Sequence, residues 1–330
     1  MTTGITLPKI EKQTNLVVDV TYLCNYTCNY CRWGSSKTPG RDHNPLNDIL
    51  ADRLELEAMG VERVVLSGGE PMLHPDIIQI VRHYSRLVED VIMITNGWLA
   101  DRERITELVS EGLSGLAFSI DSIDANILAK TRDMSYSQVT RSLGNFESIS
   151  KSRMEGVFDI ELGVISVVTS ENSSLDDVIQ LLDWAQNHGL DYVKFNQIFD
   201  DGFAGTNAPH LLLDIQHAAK FDMVAEYLEN NPPDLTTNSP KFWRTIAATL
   251  QGARIDGASC GLRDSQAILY RGHYQFCSWI DEPVLGKVGV TNSISVTKGR
   301  GDFNSASANC VTGPHCHCLQ KPSHEWKIHI

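Results

Sequence analysis

Three cysteines, Cys24, Cys28 and Cys31, stand at CxxxCxxC spacing directly after a β-branched run, residues 16–21, that reads as a buried strand. Three thiolates on one short loop can grip one face of a metal centre. An iron–sulfur cube held this way keeps one iron without a protein ligand, and an open coordination site is where a small molecule can bind and react. Two other readings of the spacing stand beside this one: a zinc knuckle whose fourth ligand lies elsewhere, and thiols packed beside a strand. Zinc usually takes paired CxxC spacings with a second pair downstream.

Further motifs close later strands. Ser67-Gly68-Gly69-Glu70-Pro71 follows a second apolar run, and Thr95-Asn96-Gly97 and Ser119-Ile120-Asp121 follow two more. Taken singly, the two glycines read as a turn, and Thr95, Asn96, Ser119 or Asp121 as a helix cap. Together with the cysteines, and with Tyr30 in the aromatic slot of CxxxCx(aromatic)C, they resemble the radical S-adenosylmethionine (SAM) enzymes. The resemblance covers residues 16 to about 200. It implies a 4Fe–4S cluster on Cys24, Cys28 and Cys31 with SAM on the open iron. It places Gly68, Gly69 and Glu70 at the SAM amino group, and Thr95, Asn96, Ser119 and Asp121 at its ribose and methionine portions. Asn172 and Asn196 lie near strand ends and read either as pocket lining or as turn residues. The reaction implied is one-electron cleavage of SAM, giving a 5′-deoxyadenosyl radical that takes a hydrogen from an unactivated carbon. The cofactors carry the hard step, while the protein aims it and excludes water.

Five more cysteines gather at 260–318, with none between 32 and 259. Cys260-Gly261 and the Gly272-to-Cys277 stretch resemble the opening of the SPASM and twitch extensions of radical SAM enzymes. There a hairpin carries two ligands of an auxiliary cluster. Cys310, Cys316 and Cys318 would complete a second 4Fe–4S cluster with one thiol to spare, which suits a single twitch-like cluster. The alternative is zinc on Cys310 and the His315-Cys316-His317-Cys318 run. A spare thiol could also return a hydrogen atom to a substrate radical, as in an epimerisation.

The elements that must position these residues alternate. Strand-like runs at 16–21, 61–66, 90–94, 116–120, 158–168 and 192–196 are separated by helical patterns at 45–59, 74–87, 101–110, 136–150 and 174–188. Six strands alternating with helices make an α/β protein with a covered parallel sheet. Pattern alone does not separate an open sheet from a barrel; the resemblance implies a partial (β/α)6 radical SAM barrel. The expected domains are this barrel over 1–200, a helical linker region over 201–257 with helices near 214–229 and 240–251, and a Cys-rich, hairpin-rich auxiliary-cluster domain over 258–330.

Hydrophobic content of 42%, charged content of 21% and a net charge of −13 are those of a globular protein with an acidic surface. The charge argues against nucleic-acid binding, no run is long and apolar enough for a membrane span, and the N-terminus lacks a signal-peptide pattern. A cytoplasmic location is expected, with cysteines serving as metal ligands rather than disulfides. The substrate is expected to be a ribosomally made peptide, which would be crosslinked, epimerised or cleaved. The alternatives are dehydrogenation or epimerisation of an aminosugar or cyclitol, and a non-catalytic iron–sulfur or zinc scaffold. Expected partners are a flavodoxin- or ferredoxin-type electron donor and, for a peptide, a separate leader-binding protein. Since four thiolates complete a cube, one of the single variants Cys310→Ala, Cys316→Ala and Cys318→Ala should keep its auxiliary iron. Iron analysis of the three proteins checks this; equal loss in all three means that no thiol is spare.

Overall fold

The computed structural model describes residues 15–31, 42–198, 204–253, 255–256, 266–276, 285–307 and 311–312. Six strands run parallel in chain order: β1 (Asn15–Thr21), β2 (Arg63–Gly68), β3 (Asp90–Thr95), β4 (Gly115–Ser119), β5 (Glu161–Val168) and β6 (Tyr192–Gln197). Crossovers between parallel strands are right-handed, so a sheet that never reverses its strand order places every connecting helix on the same face. Those helices are α1 (Leu46–Ile49), α2 (Arg53–Met59), α3 (Ile77–Tyr84), α4 (Arg102–Ser110), α5 (Ala125–Arg132), α6 (Tyr136–Met154) and α7 (Leu175–Asn187). The other face becomes the concave lumen of a partial barrel. The barrel does not close. The outer edge of β6 pairs with β7 (Thr236–Thr237), and the outer edge of β1 pairs in parallel with β9 (Gln266–Tyr270).

Side-chain alternation divides each strand between these faces. Leu16, Val18, Val20, Leu66, Met93, Phe118, Val164 and Phe195 point outward into one continuous core with Ile77, Ile80, Ile105, Phe146 and Leu181 of the helices. The residues between them line the lumen and are more open near the C-terminal strand ends, as Asp19, Ser67, Ser119, Lys194 and Asn196 show.

Several elements differ from the sequence expectation. The helix expected over 45–59 is two helices, because Asp52 stops the first and starts the second. Its carboxylate accepts the Glu55 amide at 2.9 Å, while Glu55 accepts the Asp52 amide at 3.1 Å in a full capping box. The helix expected from 74 begins only at Ile77, after a 3₁₀ turn over Pro71–Leu73. The helix expected near 214 likewise begins after a 3₁₀ turn and spans Ala218–Asn230. Helix α5 was not anticipated.

Neither was the role of the chain after 265. Strand β9 extends the barrel sheet and turns through Arg271 and Gly272, both in the left-handed region at φ 49° and 76°, into β10 (His273–Gln275). Two consecutive positive φ values are what a two-residue hairpin requires. Strand β11 (Gly286–Lys287) adds to the edge, while β8 (Ile255–Asp256) and β12 (Val311–Thr312) form a separate pair.

Glu55, only 1% exposed, pins this later chain to α2. One oxygen accepts the amides of Gly289 and Thr291 at 2.8 and 3.2 Å, and the other accepts the buried Tyr274 hydroxyl at 3.1 Å. Glu55→Ala strands four donors, of which the Tyr274 hydroxyl and the Thr291 amide belong to buried residues, and is expected to cost about 3–5 kcal/mol, against about 1 kcal/mol for Tyr274→Phe, which removes one bond. Denaturant midpoints of the two variants check the ratio.

Candidate active site

The site is assembled at the C-terminal ends of the strands. Past Thr21 the chain turns into the cysteine loop, with the Leu23 amide bonded to the Thr21 hydroxyl at 3.1 Å. Cys24, Cys28 and Cys31 are free thiols; Cys28 is buried, and the Cys31 amide bonds its carbonyl at 3.1 Å. Tyr26, Leu128, Met134 and Val139 form an apolar shell around them, joined by Trp98. Helix α5 holds the loop from below: the Asn29 amide bonds the Thr131 carbonyl at 3.2 Å, and its side chain bonds the Lys130 carbonyl at 2.9 Å. Burial raises the Cys24 thiol to about 11 and drives Cys28 higher still, with the neighbouring thiols adding to both. A metal centre would therefore displace protons as it loads. Among the described residues, no three His, Cys, Asp or Glu side chains converge as ligands of one ion. In a cube, each of three thiolates on one loop would take a different iron.

The loop after β2 is stitched to the cysteine loop through its backbone. The Gly69 amide donates to the Thr21 carbonyl at 2.7 Å, and the Glu70 amide to the Leu23 carbonyl at 2.8 Å. Such contact leaves no room for side chains. A Cβ on Gly69 would lie 2.0 Å from the Leu23 oxygen; one on Gly68, whose φ is +118°, would lie 2.2 Å from the Thr21 oxygen. The close approach these glycines permit is first of all to the neighbouring loop.

The Glu70 carboxyl is fully buried. It accepts the Met72 amide at 3.1 Å, the Thr95 hydroxyl at 2.9 Å and the Asn96 amide at 2.8 Å. Burial pushes its pKa up to about 7 while these three donors pull it back. Asn96 then reaches the cysteines: its side-chain amide bonds Asn25 at 2.8 Å and lies 3.7 Å from the Cys24 sulfur.

A second network lies beneath Cys28 and Cys31. Asp121, with its carboxylate sealed from solvent, accepts a bidentate pair from Arg132, both bonds 2.7 Å, the Tyr30 hydroxyl at 2.6 Å and the Val167 amide at 2.9 Å. Burial opposes the Arg132 charge, but Asp121, Tyr30 and Cys28 together outweigh it and hold the guanidinium well above its ordinary value. Asn172 bonds the Asp121 carbonyl at 2.9 Å and caps the Thr169 amide, which makes it a turn residue.

Of the residues singled out in the sequence, the structure brings together Cys24, Cys28, Cys31, Tyr30, Gly68, Gly69, Glu70, Thr95, Asn96 and Asp121. Their polar groups are largely engaged with one another. Ser119 and Asn196 sit half-buried on the lumen side of β4 and β6. Cys260, Cys277, Cys310, Cys316 and Cys318 lie outside the described residues. Sequence reasoning missed Asn25 and Arg132. Asn25 stands inside the CxxxCxxC motif and was legible as a polar group there; Arg132, at the end of an unforeseen helix, carried no local signal.

Residues 18–152 match the family model described as the radical SAM superfamily. Over these residues the chain is similar to that superfamily. Among curated proteins, a GTP 3′,8-cyclase of Chlorobaculum tepidum is 29% identical over 194 residues, 56% of this chain and 54% of that protein. One of Clostridium perfringens (strain SM101) is 24% identical over 66% of this chain and 67% of that protein. The chain thus spans about half the length of several curated relatives that it matches. Among solved structures, Streptococcus suis SuiB bound to precursor peptide SuiA superposes with a TM-score of 0.66 at 13% identity, covering 94% of this chain and 71% of that one. Native anSMEcpe with bound AdoMet gives 0.63 at 18% identity, covering 90% and 84%. These likenesses establish the fold, a partial radical SAM barrel.

The glycine contacts give a direct test. Gly69→Ala should abolish iron retention by Cys24, Cys28 and Cys31, because the methyl group meets backbone oxygen. Gly144→Ala, in α6 with nothing within 4 Å of the added carbon, should keep the iron and stabilise the protein by about 0.5–1 kcal/mol. Iron analysis and thermal melts of both variants check the contrast.

Proposed function

We propose that the chain is a radical SAM enzyme that takes a hydrogen atom from a carbon of its substrate, most readily a peptide. The observation carrying this is the trio of free thiols locked by backbone bonds to the Gly68-Gly69-Glu70 segment at the open end of a lumen. Cys24, Cys28 and Cys31 would hold a 4Fe–4S cluster by its three protein-ligated irons. Gly68, Gly69, Glu70, Thr95, Asn96, Ser119 and Asn196 surround the space where SAM would lie. Cluster and SAM, when bound and reduced, supply the carbon-centred radical chemistry of the family. The chain's own contribution is geometric and dielectric. Asn96 steadies the Cys24 sulfur, and Glu70 fixes the backbone of Asn96. Asp121 and Arg132 hold Tyr30 under Cys28 and Cys31, and the apolar shell keeps water from the sulfurs. Tyr30 and Asp121 act in this reading by positioning.

The peptide substrate is supported by the fold neighbours that cover most of this chain, SuiB with precursor peptide SuiA and anSMEcpe with peptide. A second reading, a small molecule such as an aminosugar, cyclitol or other polar metabolite, is favoured by the GTP 3′,8-cyclase relatives. We assign four of the five cysteines Cys260, Cys277, Cys310, Cys316 and Cys318 to a second 4Fe–4S cluster of twitch or SPASM type, and electron supply to a flavodoxin or ferredoxin.

Anaerobic reconstitution with iron, sulfide, SAM and dithionite tests the proposal. The expected result is about eight irons per chain and release of methionine and 5′-deoxyadenosine. Changing Cys24, Cys28 and Cys31 together to Ala should remove about half the iron and all SAM cleavage. Stoichiometric zinc in place of the second four irons overturns the auxiliary assignment, and no cleavage by fully loaded protein overturns the enzyme reading. Mass spectrometry of a candidate peptide and a candidate aminosugar incubated with the loaded enzyme separates the two substrate classes.

A further inference from the structure

Strand β1 is apolar and β-branched except at Asp19. Its neighbours Val18 and Val20 are fully buried against the helices, so Asp19 faces the lumen, where it is half-buried. It stands opposite Ser67 of β2, just below the Gly68-Gly69-Glu70 segment, and the ladder shifts register directly after it, between Asp19 and Thr21. Bulges of this kind are frequent beside active sites, where they re-aim a side chain.

What distinguishes Asp19 is the lack of a partner. Among the described residues its carboxylate makes no hydrogen bond and no ion pair; only its main-chain carbonyl is used, by the Asn44 side chain. Two cations among the described residues have other neighbours. Arg271 stacks over the rings of Tyr22 and Tyr270, 5.5 and 5.4 Å from their centroids. Lys194, across the lumen on β6, acts electrostatically on Glu161 near the floor. Burial alone raises the Asp19 pKa to about 7, unopposed by any donor. Glu70 and Asp121, the other buried carboxyls of this half of the barrel, each have three or more donors.

A carboxylate that faces a barrel lumen without a protein partner is open to pair with a ligand that enters it. From the lumen geometry we infer that Asp19 is a specificity residue that receives a protonated amine of the substrate inside the barrel, beneath the cysteine loop. The inference rests on reading the lumen as the substrate chamber of the proposed enzyme. An ammonium group satisfies a desolvated carboxylate with a charge-assisted hydrogen bond, whereas neutral or anionic substrate groups leave it unpaired or repel it. A lysine side chain and an amino sugar carry the same chemistry.

The test uses wild-type, Asp19→Asn and Asp19→Glu proteins, reconstituted with iron and labelled with [4-¹³C]aspartate. The infrared band lost in Asp19→Asn identifies the Asp19 carboxyl. Methylammonium chloride should shift that band in the wild type, and sodium chloride at the same concentration should not. Of Nα-acetyl-lysine methylamide and glucosamine, the one acting at lower concentration identifies a peptide or a sugar source. Without any probe, Asp19→Asn should melt a few degrees above the wild type with full iron content, since it relieves an unpaired charge. Asp19→Glu, labelled instead with [5-¹³C]glutamate, should gain a carboxylate band, absent from the equally labelled wild type, that responds to methylammonium. A band unmoved by all three amines overturns the inference, as does a lower melting temperature for Asp19→Asn, which would reveal a structural partner. Loss of the underlying reading shows separately, as fully loaded wild-type protein that does not cleave SAM.

Discussion

The site depends on a carboxyl group that never meets solvent. Glu70 accepts from Met72 in its own loop and from Thr95 and Asn96 at the end of β3, while its amide and that of Gly69 bind the β1 loop. Three strand ends therefore move as one body. A buried carboxyl is tolerable only when donors replace the water it lost, and loss of such partners costs several kcal/mol. The three donors and the carboxyl enforce one another, and the cysteine loop inherits their rigidity. Preorganisation of this kind is what a site needs in order to control a reactive species once it forms.

Burial decides which charge pairs matter. Arg132 and Asp121 are bidentate, sealed, and joined by Tyr30 and Val167, so they tie α5, β4, β5 and the cysteine loop into one frame. Arg82 and Glu111 have equally short bonds but sit where water and salt compete, and a pair of that kind contributes little. The Arg132 pair also has a functional consequence. It places a permanent cation beside Cys28, which opposes the effect of burial on that thiol and favours the thiolate form that a cluster requires.

Much of this was legible in the chain. Alternating apolar runs located all six barrel strands to within a few residues, and the cysteine spacing with Gly68-Gly69-Glu70 pointed to two loops that the structure brings into backbone contact. With the exception of the Asp52-to-Glu55 capping box, what the sequence does not show has a common physical cause, contact between residues distant in sequence. The Asp52-to-Glu55 capping box was readable locally and was passed over inside a longer apolar pattern. Nothing local shows that Gly68 and Gly69 also lie against the Thr21 and Leu23 carbonyls. The Asp121 pairing with Arg132 is equally hidden, because Arg132 lies on a helix with no strong periodic signal. Strand β9 carries a short apolar run like any hairpin strand, and its pairing with β1 across some 250 intervening residues leaves no local trace.

That pairing has a further consequence for the barrel. Had β1 stayed at the sheet's edge, its unpaired backbone would be open to other strands and to water beside the cysteine loop. With β9 alongside, β1 is an interior strand, hydrogen-bonded on both sides, and its register is fixed against two neighbours. Register matters more here than at any other strand, because a slip of one residue would turn Asp19 into the helical core and Val18 into the lumen. The same seven residues thus hold the core with one face and shape the chamber with the other. Replacing an outward valine tests stability, whereas replacing an inward residue tests chemistry. The chain after 265, by fixing β1, belongs to the architecture of the site even where it contributes no side chain to it.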